Sequence, residues 1–211
     1  MANPVVSNMH EAAKRICDHY VNKKKPITVE HLALLHDKLI KSETNLTKMR
    51  TFNICLLEFC GFMRYEEISN VRRCDITFLD TFMKVFVEKS KTDVYREGNW
   101  IYISKGNTDL CPVRNIRVYL ETAGLLHDSH SECFIFRAIT VTKNNKIGYL
   151  RKKNVGLSYS RAREVVLDAL ESIGLEKSLF GLHSLRSGGA TAAANAGVPD
   201  RLFKRHGRWR S

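Results

Sequence analysis

The 211-residue sequence predicts a mainly α-helical fold with a small antiparallel β-sheet, which is an α+β class. Over most of the chain, apolar residues recur every three or four positions, as they do in amphipathic helices. Between residues 82 and 103, short runs of β-forming residues instead flank a long polar segment. A chain of this length can bury a sizeable core, so stability gives no reason to expect a cofactor or a structural metal.

The first 72 residues are predicted to be helical, apart from short connectors. In chain order the helices lie around Glu11 to Tyr20, from Thr28, from Leu46 to Gly61, and from Tyr65 to Arg72. Thr28 fits an N-cap, and the helix from Leu46 carries apolar residues on nearly every face, which predicts that it is buried. The charged connector that ends at Pro26 predicts a division into residues 1–26, a terminal helix and linker, and residues 27–211, the main domain.

Two β-hairpins and three helices are predicted in the remainder. In chain order these are a hairpin of residues 82–87 and 100–103, a helix between Pro112 and Gly124, a basic hairpin from Ile139 to Leu150, a helix from Ser158 or Ser160 to Ile173, and a helix near His183. This last helix contains the run of small residues from Ser187 to Ala194. Small side chains let a helix approach its neighbour closely, so we expect tight packing there.

The composition excludes a disordered or membrane-spanning chain and indicates a polyanionic partner. Hydrophobic residues make up 44% of the sequence and charged residues 27%, which is typical of a folded protein. The most apolar stretch, Ile54 to Met63, contains Glu58 and is far shorter than the ~20 residues that a bilayer requires. The formal net charge of +12 favours nucleic acid as partner, and neither a membrane nor a small-molecule substrate is indicated.

The positive charge is concentrated in the last third of the chain. Residues 137–163 contain eight basic residues and no acidic one, and residues 181–211 contain six basic residues and one acidic residue. A solvated loop would also explain the stretch 143–153, but two basic segments in one domain favour a nucleic-acid groove. We predict that DNA is contacted by Arg151, Lys152, Lys153, Lys204, Arg205 and Arg208.

Processing and metal-binding signals are absent from the sequence. The N-terminal residues have no apolar run behind a basic segment, so we expect an intracellular protein, nuclear if the host is a eukaryote. The six cysteines form no CxxC pair, which predicts free thiols rather than disulfides or a zinc site. We therefore expect neither a metal nor another cofactor.

Residues with phosphate-binding chemistry lie in three separate places. His183 and Arg186 are three residues apart, so on a helix both side chains can converge on one anion, although a capped helix start with a solvent-facing arginine is the alternative. Arg64 follows a very apolar helix and must either reach solvent or meet an anion, and Glu67 could hold it in place. Lys91 lies where the first hairpin strand should end, from which its side chain can enter a groove.

These elements, in this order, resemble the tyrosine recombinase (phage integrase) family. The sequence contains Gly-x-x-Arg-x-x-Glu, a hairpin Lys-Thr, His-x-x-Arg-x-Gly and Gly-x-Trp, spread over residues 27–211. The similarity is to XerD-like catalytic domains. The amino-acid sequence of residues 183–191 is especially similar to that of recombinases of eukaryotic mobile elements.

The resemblance implies a metal-free strand-transfer site. Arg64 and Arg186 would grip the scissile phosphate, with His183 beside them and Trp209 where the family has His or Trp. Lys91 would protonate the leaving 5′ oxygen while a tyrosine attacks to form a 3′-phosphotyrosyl link. The family acts on double-stranded DNA as assemblies of several subunits.

The sequence departs from the family at both ends. The family's nucleophile lies a short helix beyond the position of Trp209, but no tyrosine follows Tyr159, so we expect that this polypeptide does not cleave DNA by itself. Residues 1–26 could be only the final helix and linker of the family's DNA-clamping domain. Three explanations stay open: a fragmentary gene sequence, which we favour, a nucleophile supplied in trans, or a domesticated remnant kept for DNA binding. A DNA-binding protein without strand transfer and a basic helical protein that meets an acidic protein are the alternative functions.

Overall fold

The computed structural model describes residues 4–16, 23–42, 45–89, 97–142 and 147–209. The helices are α1 (Pro4–Ile16), α2 (Val29–His36), α3 (Leu46–Cys60), α4 (Tyr65–Ser69), α5 (Pro112–Thr122), α6 (Tyr159–Glu171), α7 (His183–Asn195) and α8 (Asp200–Gly207). The strands are β1 (Ile76–Phe78), β2 (Phe82–Val87), β3 (Asn99–Ser104), β4 (Ile139–Val141) and β5 (Gly148–Leu150). The expected α+β class, mainly helical with small antiparallel sheets, is confirmed.

Helix α3 forms the centre of the core. Twelve of its fifteen residues are buried, and it packs against α2, α4, α5, α6 and α7, which confirms the prediction of a helix buried nearly all round. The Asn45 side chain accepts a hydrogen bond from the backbone N–H of Lys48 and so caps its start, and Gly61 follows its end. Thr28 caps α2 as predicted, and one π-helical turn, Asp37–Lys41, extends that helix.

A three-stranded antiparallel sheet, in the order β1–β2–β3, covers one side of the helices. The inner face carries Met83, Val85 and Ile101, all fully buried or nearly so. The outer face carries cross-strand aromatic pairs, and the Lys84 ammonium lies 4.4 Å from the centre of the Trp100 ring. Strand β1 was not predicted, because three residues are too few to show an alternating pattern.

The predicted basic hairpin exists as strands β4 and β5, and buried arginines anchor it. The Arg50 guanidinium donates a hydrogen bond of 2.7 Å from α3 to the carbonyl oxygen of Arg137, just before β4. Arg137 in turn donates to the carbonyl of Arg151, just after β5. The hairpin is thereby fastened to the central helix from beneath.

Several predicted boundaries shift in the structure. Helix α1 begins at Pro4 rather than near Glu11, and the predicted end near Tyr20 lies outside the described residues. Helix α4 ends at Ser69 instead of Arg72, because the Asn70 side chain bonds back to the last turn. Ser158, not Ser160, caps α6.

Neither a membrane-spanning helix nor a metal-binding cluster is found among the described residues. No helix of that part combines the length and apolar composition needed to cross a membrane. The same residues contain no group of three or more His, Cys, Asp or Glu side chains arranged to hold a metal ion.

Helix α7 packs against its neighbours without any space for side chains at two positions. A Cβ atom added to Gly188 would lie 2.0 Å from the carbonyl oxygen of Ile27, and one added to Gly189 would lie 1.9 Å from that of Phe59. Both obstacles are backbone atoms, which cannot swing away as a side chain can. The tight packing expected from the small residues is therefore confirmed.

We predict that Gly188→Ala lowers the free energy of unfolding by about 2 kcal/mol, because overpacking outweighs the gain of about 1 kcal/mol in helix propensity. Denaturant unfolding measures this change. The matched control is Gly181→Ala, where an added Cβ meets no atom within 4 Å and the protein should be nearly unaffected. Equal stability of the two variants would contradict the close approach of α7 to Ile27.

Candidate active site

A cleft of about 270 Å³ opens where the end of α3, the start of α4 and the first residues of α6 and α7 meet. It unites Arg64, His183 and Arg186, which the sequence analysis selected from two separate motifs. The residues that line it are Glu58, Met63, Arg64, Tyr65, Glu66, Tyr159, Leu182, His183 and Arg186. The chain thus brings two guanidinium groups and an imidazole to one opening.

Arg64 is held at the start of α4 by Glu67. Its guanidinium Nη1 lies 3.1 Å from Oε1 of Glu67, and its backbone N–H donates a 2.8 Å hydrogen bond to Oε2 of the same carboxylate. Glu67 is buried, whereas the Arg64 side chain keeps 24% of its surface exposed. The predicted support of Arg64 by Glu67 is confirmed, and the exposed part of the guanidinium faces the cleft.

Arg208 does not lie with the surface cations, so its assignment as a DNA-contacting residue is corrected. Its side chain is only 6% exposed, and its Nη2 lies 2.7 Å from Oε2 of Glu67. It also donates to the carbonyl oxygens of Gly61 and Phe62, at the end of α3. Arg208 therefore completes the support beneath Arg64. Counting charges in the sequence could not separate it from its exposed neighbours.

Arg186 lies deepest in the cleft and is 2% exposed. Its Nη2 donates a 2.9 Å hydrogen bond to the carbonyl of Gly207, and its guanidinium carbon lies 5.3 Å from the centre of the Trp209 ring. Burial, followed by repulsion from Arg64, lowers the pKa of Arg186 to about 10, so it keeps its positive charge at neutral pH. Trp209 thus acts on the cleft through Arg186 and is not among the residues that line it.

His183 is the first residue of α7 and retains an exposed face. Partial burial, and then the positive charges of Arg186 and Arg64, lower the pKa of His183 below its ordinary value. The imidazole is therefore neutral at neutral pH and has one nitrogen that can accept a proton. A bound anion would offset the nearby positive charges and raise that pKa.

An aromatic cluster joins α8 to the end of α3. Phe62 stacks on Trp209 with ring centres 6.0 Å apart, and it meets the rings of Phe203 and His206 edge-on. The His206 Nε2 lies 2.8 Å from the carbonyl oxygen of Cys60. Phe62 has a φ of 47°, a left-handed conformation that costs a non-glycine residue free energy unless its surroundings hold it. The ring contacts supply that restraint next to Arg64.

The arrangement is suited to a phosphate ester. Guanidinium groups from two elements approach one opening, and planar guanidinium forks match phosphate oxygens by paired, charge-assisted hydrogen bonds. The Nε of Arg186 has no hydrogen-bond partner among the described residues, although it is buried. Such a donor favours an anionic ligand that accepts from it.

The sequence of the chain is similar to that of a known integrase/recombinase. No profile of a known protein family matches the sequence. The chain is, however, 30% identical over 214 aligned residues, 99% of its length, to the integrase/recombinase xerD homolog of Selenomonas ruminantium. This similarity agrees with the resemblance of the motifs to the tyrosine recombinase family. It spans 59% of the length of that relative.

Solved structures of tyrosine recombinases share the fold. The catalytic core of lambda integrase superposes with a TM-score of 0.56 at 15% identity, over 89% of this chain and 96% of that core. The XerH site-specific recombinase in complex with its difH substrate superposes with a TM-score of 0.63 at 15% identity, over 89% of this chain and 48% of XerH. At this identity the likeness establishes the fold, and it confirms the expected catalytic-domain architecture.

The remaining predicted site residues are dispersed. Lys91 lies outside the described residues. Arg151, Lys152 and Lys153 are exposed on the segment between β5 and α6. On α8, Arg205 is exposed and Lys204 is paired with Asp200 at 2.8 Å.

Two tyrosines line the cleft, although none is predicted there from the sequence. Tyr65 is buried and donates its hydroxyl hydrogen to the carbonyl of Leu157 at 2.6 Å. Tyr159 is 59% exposed, and its ring meets that of Tyr65 edge-on. The linear sequence gave no signal for either residue, because the fold brings α6 beside α4 from almost a hundred positions away.

We predict that Glu67→Gln costs about 3 kcal/mol of unfolding free energy, because it leaves two largely buried arginines without their shared carboxylate. The matched control is Glu164→Gln. Glu164 pairs with Arg161 at the same three-residue spacing and 2.7 Å, but both side chains are more than half exposed. That change should cost less than about 0.5 kcal/mol. Chemical unfolding of both variants tests the prediction, and similar losses would refute a central role for Glu67.

Proposed function

We propose that this chain is the DNA-binding catalytic domain of a site-specific recombinase or integrase that breaks and rejoins DNA through a phosphotyrosyl intermediate, without a metal. The observation that carries the proposal is the cleft in which Arg64, His183 and Arg186 meet. The charge of the protein agrees with it, because a net +12 attracts the DNA backbone. Double-stranded DNA is therefore the proposed partner.

Each cleft residue receives a role that follows from its chemistry. Arg64 and Arg186 bind the non-bridging oxygens of the scissile phosphate and stabilise the charge that develops on them. Neutral His183 donates or accepts a proton beside them. Lys91 protonates the leaving 5′ oxygen, which the resemblance to the family supports.

Relatives with the same fold support action on DNA by several subunits. XerH has been crystallised in pre-cleavage and post-cleavage complexes with difH substrates, and lambda integrase as a tetramer on a Holliday junction. By analogy, we propose that several copies of this protein assemble on a recombination site. Residues 1–26 would then act as a terminal helix and linker next to the catalytic domain of residues 27–211.

The attacking tyrosine in this proposal is not one of the seven in residues 1–211. None of them follows Trp209, where the resemblance to the family places the nucleophile. Tyr65 already donates its hydroxyl to Leu157, and burial raises the pKa of that phenol, which opposes formation of the phenolate that attacks. The second candidate function is a DNA-binding protein without strand transfer, in which Arg64 and Arg186 only hold the phosphate.

We predict that the wild-type chain binds a mixed-sequence duplex and that Arg186→Ala or Arg64→Ala weakens this binding, with a salt slope smaller by about one counterion. Fluorescence anisotropy over a series of salt concentrations measures both quantities. The control Arg117→Ala removes the same charge from a side chain that stacks on Phe78, outside the cleft. Loss of duplex binding only in Arg117→Ala would refute the assignment of the cleft as the phosphate site.

A nicked suicide duplex separates the two candidate functions. We expect no covalent complex from residues 1–211 alone, since none of their tyrosines follows Trp209, where the resemblance to the family places the nucleophile. Denaturing electrophoresis detects such a complex if it forms. The exposed Tyr159 provides the decisive control. A covalent complex that disappears in Tyr159→Phe would show that the nucleophile is already present, contrary to this proposal. Addition of a family member that carries the tyrosine should produce the complex if this chain is a catalytic partner, and should not if it is a remnant.

A further inference from the structure

Glu58 is a carboxylic acid without a partner at the wall of the cleft. It is 1% exposed, lies in the last two turns of α3 and lines the cleft with Arg64 and Arg186. Its Oε1 is buried and has no hydrogen-bond partner, and no ion pair joins it to any cation in the described part of the chain. An ionised carboxylate in such surroundings would be strongly unfavourable, so the charge state of Glu58 needs an explanation.

The charged groups around Glu58 have a net positive charge when Glu58 itself is neutral. Glu67 carries the one negative charge that pairs with Arg64 and Arg208, while Arg186 donates to a backbone carbonyl. Arg64, Arg186 and Arg208 carry three positive charges and Glu67 carries one negative charge, so the net charge of these four groups is +2. A phosphodiester carries one negative charge, and attack by an oxyanion at phosphorus raises it to two. A negative charge on Glu58 would halve the site's positive charge.

We propose that Glu58 holds a proton in the free protein and acts as a positioning residue, which keeps the phosphate cleft at its full positive charge. This inference rests on the proposed phosphate-binding function of the cleft. The protonated carboxyl adds no charge, and its O–H is available as one further donor at the cleft wall. Burial, the largest cause, raises the pKa of Glu58 well above its ordinary value, and attraction to Arg186 opposes this only in part.

Several titratable or charged groups face Glu58 or share its cleft. They are Cys55 on the same helix, Arg64, Tyr65, Glu66 and Glu67 around the start of α4, Tyr159 on α6, and His183 and Arg186 on α7. Burial raises the pKa of the Cys55 thiol and of the Tyr65 phenol, and it lowers the pKa of the His183 imidazole. Glu58 differs from Glu66, the other carboxyl group that lines the cleft, because Glu58 is buried whereas Glu66 is exposed.

The proposal couples anion binding to a proton on Glu58. A bound phosphate favours the protonated acid, so DNA affinity should fall as pH rises through the range in which free Glu58 ionises. We expect a loss of roughly tenfold across that range, as one unit of coupled pKa change corresponds to a factor of ten. Glu58→Gln keeps the shape but has no proton to lose, so this variant should show a much flatter profile.

The matched control is Glu66→Gln, which removes a carboxylate from the exposed rim of the same cleft. Glu66 is exposed, and its replacement by a neutral amide should let the variant bind the duplex more tightly than wild type at every pH. Its slope with pH should match that of wild type. Glu58→Gln should instead differ from wild type mainly at the alkaline end, where it binds roughly tenfold more tightly.

The experiment measures the anisotropy of a labelled mixed-sequence duplex with wild type, Glu58→Gln, Glu66→Gln and Arg186→Ala over this pH range, at temperatures below unfolding. Calorimetry of wild type in two buffers of different ionisation enthalpy counts the protons taken up on binding and needs no folded variant. A flat Glu58→Gln profile with proton uptake by wild type at alkaline pH supports the proposal. Parallel wild-type and Glu58→Gln profiles, or no proton uptake, overturn it. Binding by Arg186→Ala equal to wild type overturns the phosphate site itself, and the role of Glu58 with it.

Discussion

The carboxylate of Glu67 is the interaction on which the candidate site depends. It accepts hydrogen bonds from the Arg64 side chain, the Arg64 backbone and the Arg208 side chain, and so joins the start of α4 to the residue that follows α8. A buried carboxylate shared in this way is stable only because each oxygen is satisfied. The position of Arg64, and with it one side of the phosphate cleft, follows from this single group.

The tight seating of α7 places the other side of the cleft. Gly188 and Gly189 bring this helix into backbone contact with the start of α2 and the end of α3, so its first turn is held rigidly. His183 and Arg186 are carried by that turn, and Arg186 is then fixed by the carbonyl of Gly207 and the face of Trp209. Packing of small residues in the core thus determines where the charged groups stand.

Local signals in the sequence were sufficient for most elements and for the Arg64, Glu67, His183 and Arg186 set. The cap at Thr28, the end of α3 at Gly61 and the small residues of α7 all act over a few positions, so they can be recognised without a structure. Arg208, Glu58 and Tyr159 could not be assigned in this way, because their surroundings come from distant segments. Arg208 meets Glu67 across 141 positions, and nothing near Arg208 in the sequence reveals its partner.

The position of Arg208 also has a consequence for biosynthesis. Arg208 is translated long after Glu67, and its side chain can bond to Glu67 and to the carbonyl of Phe62 only when α8 has folded back onto α3. The loss of chain entropy on closing so long a loop must be met before such a contact forms. A nascent chain on the ribosome therefore lacks this second partner of Glu67 even when all its earlier helices have formed. The support beneath Arg64 is complete only after Arg208 has emerged and docked.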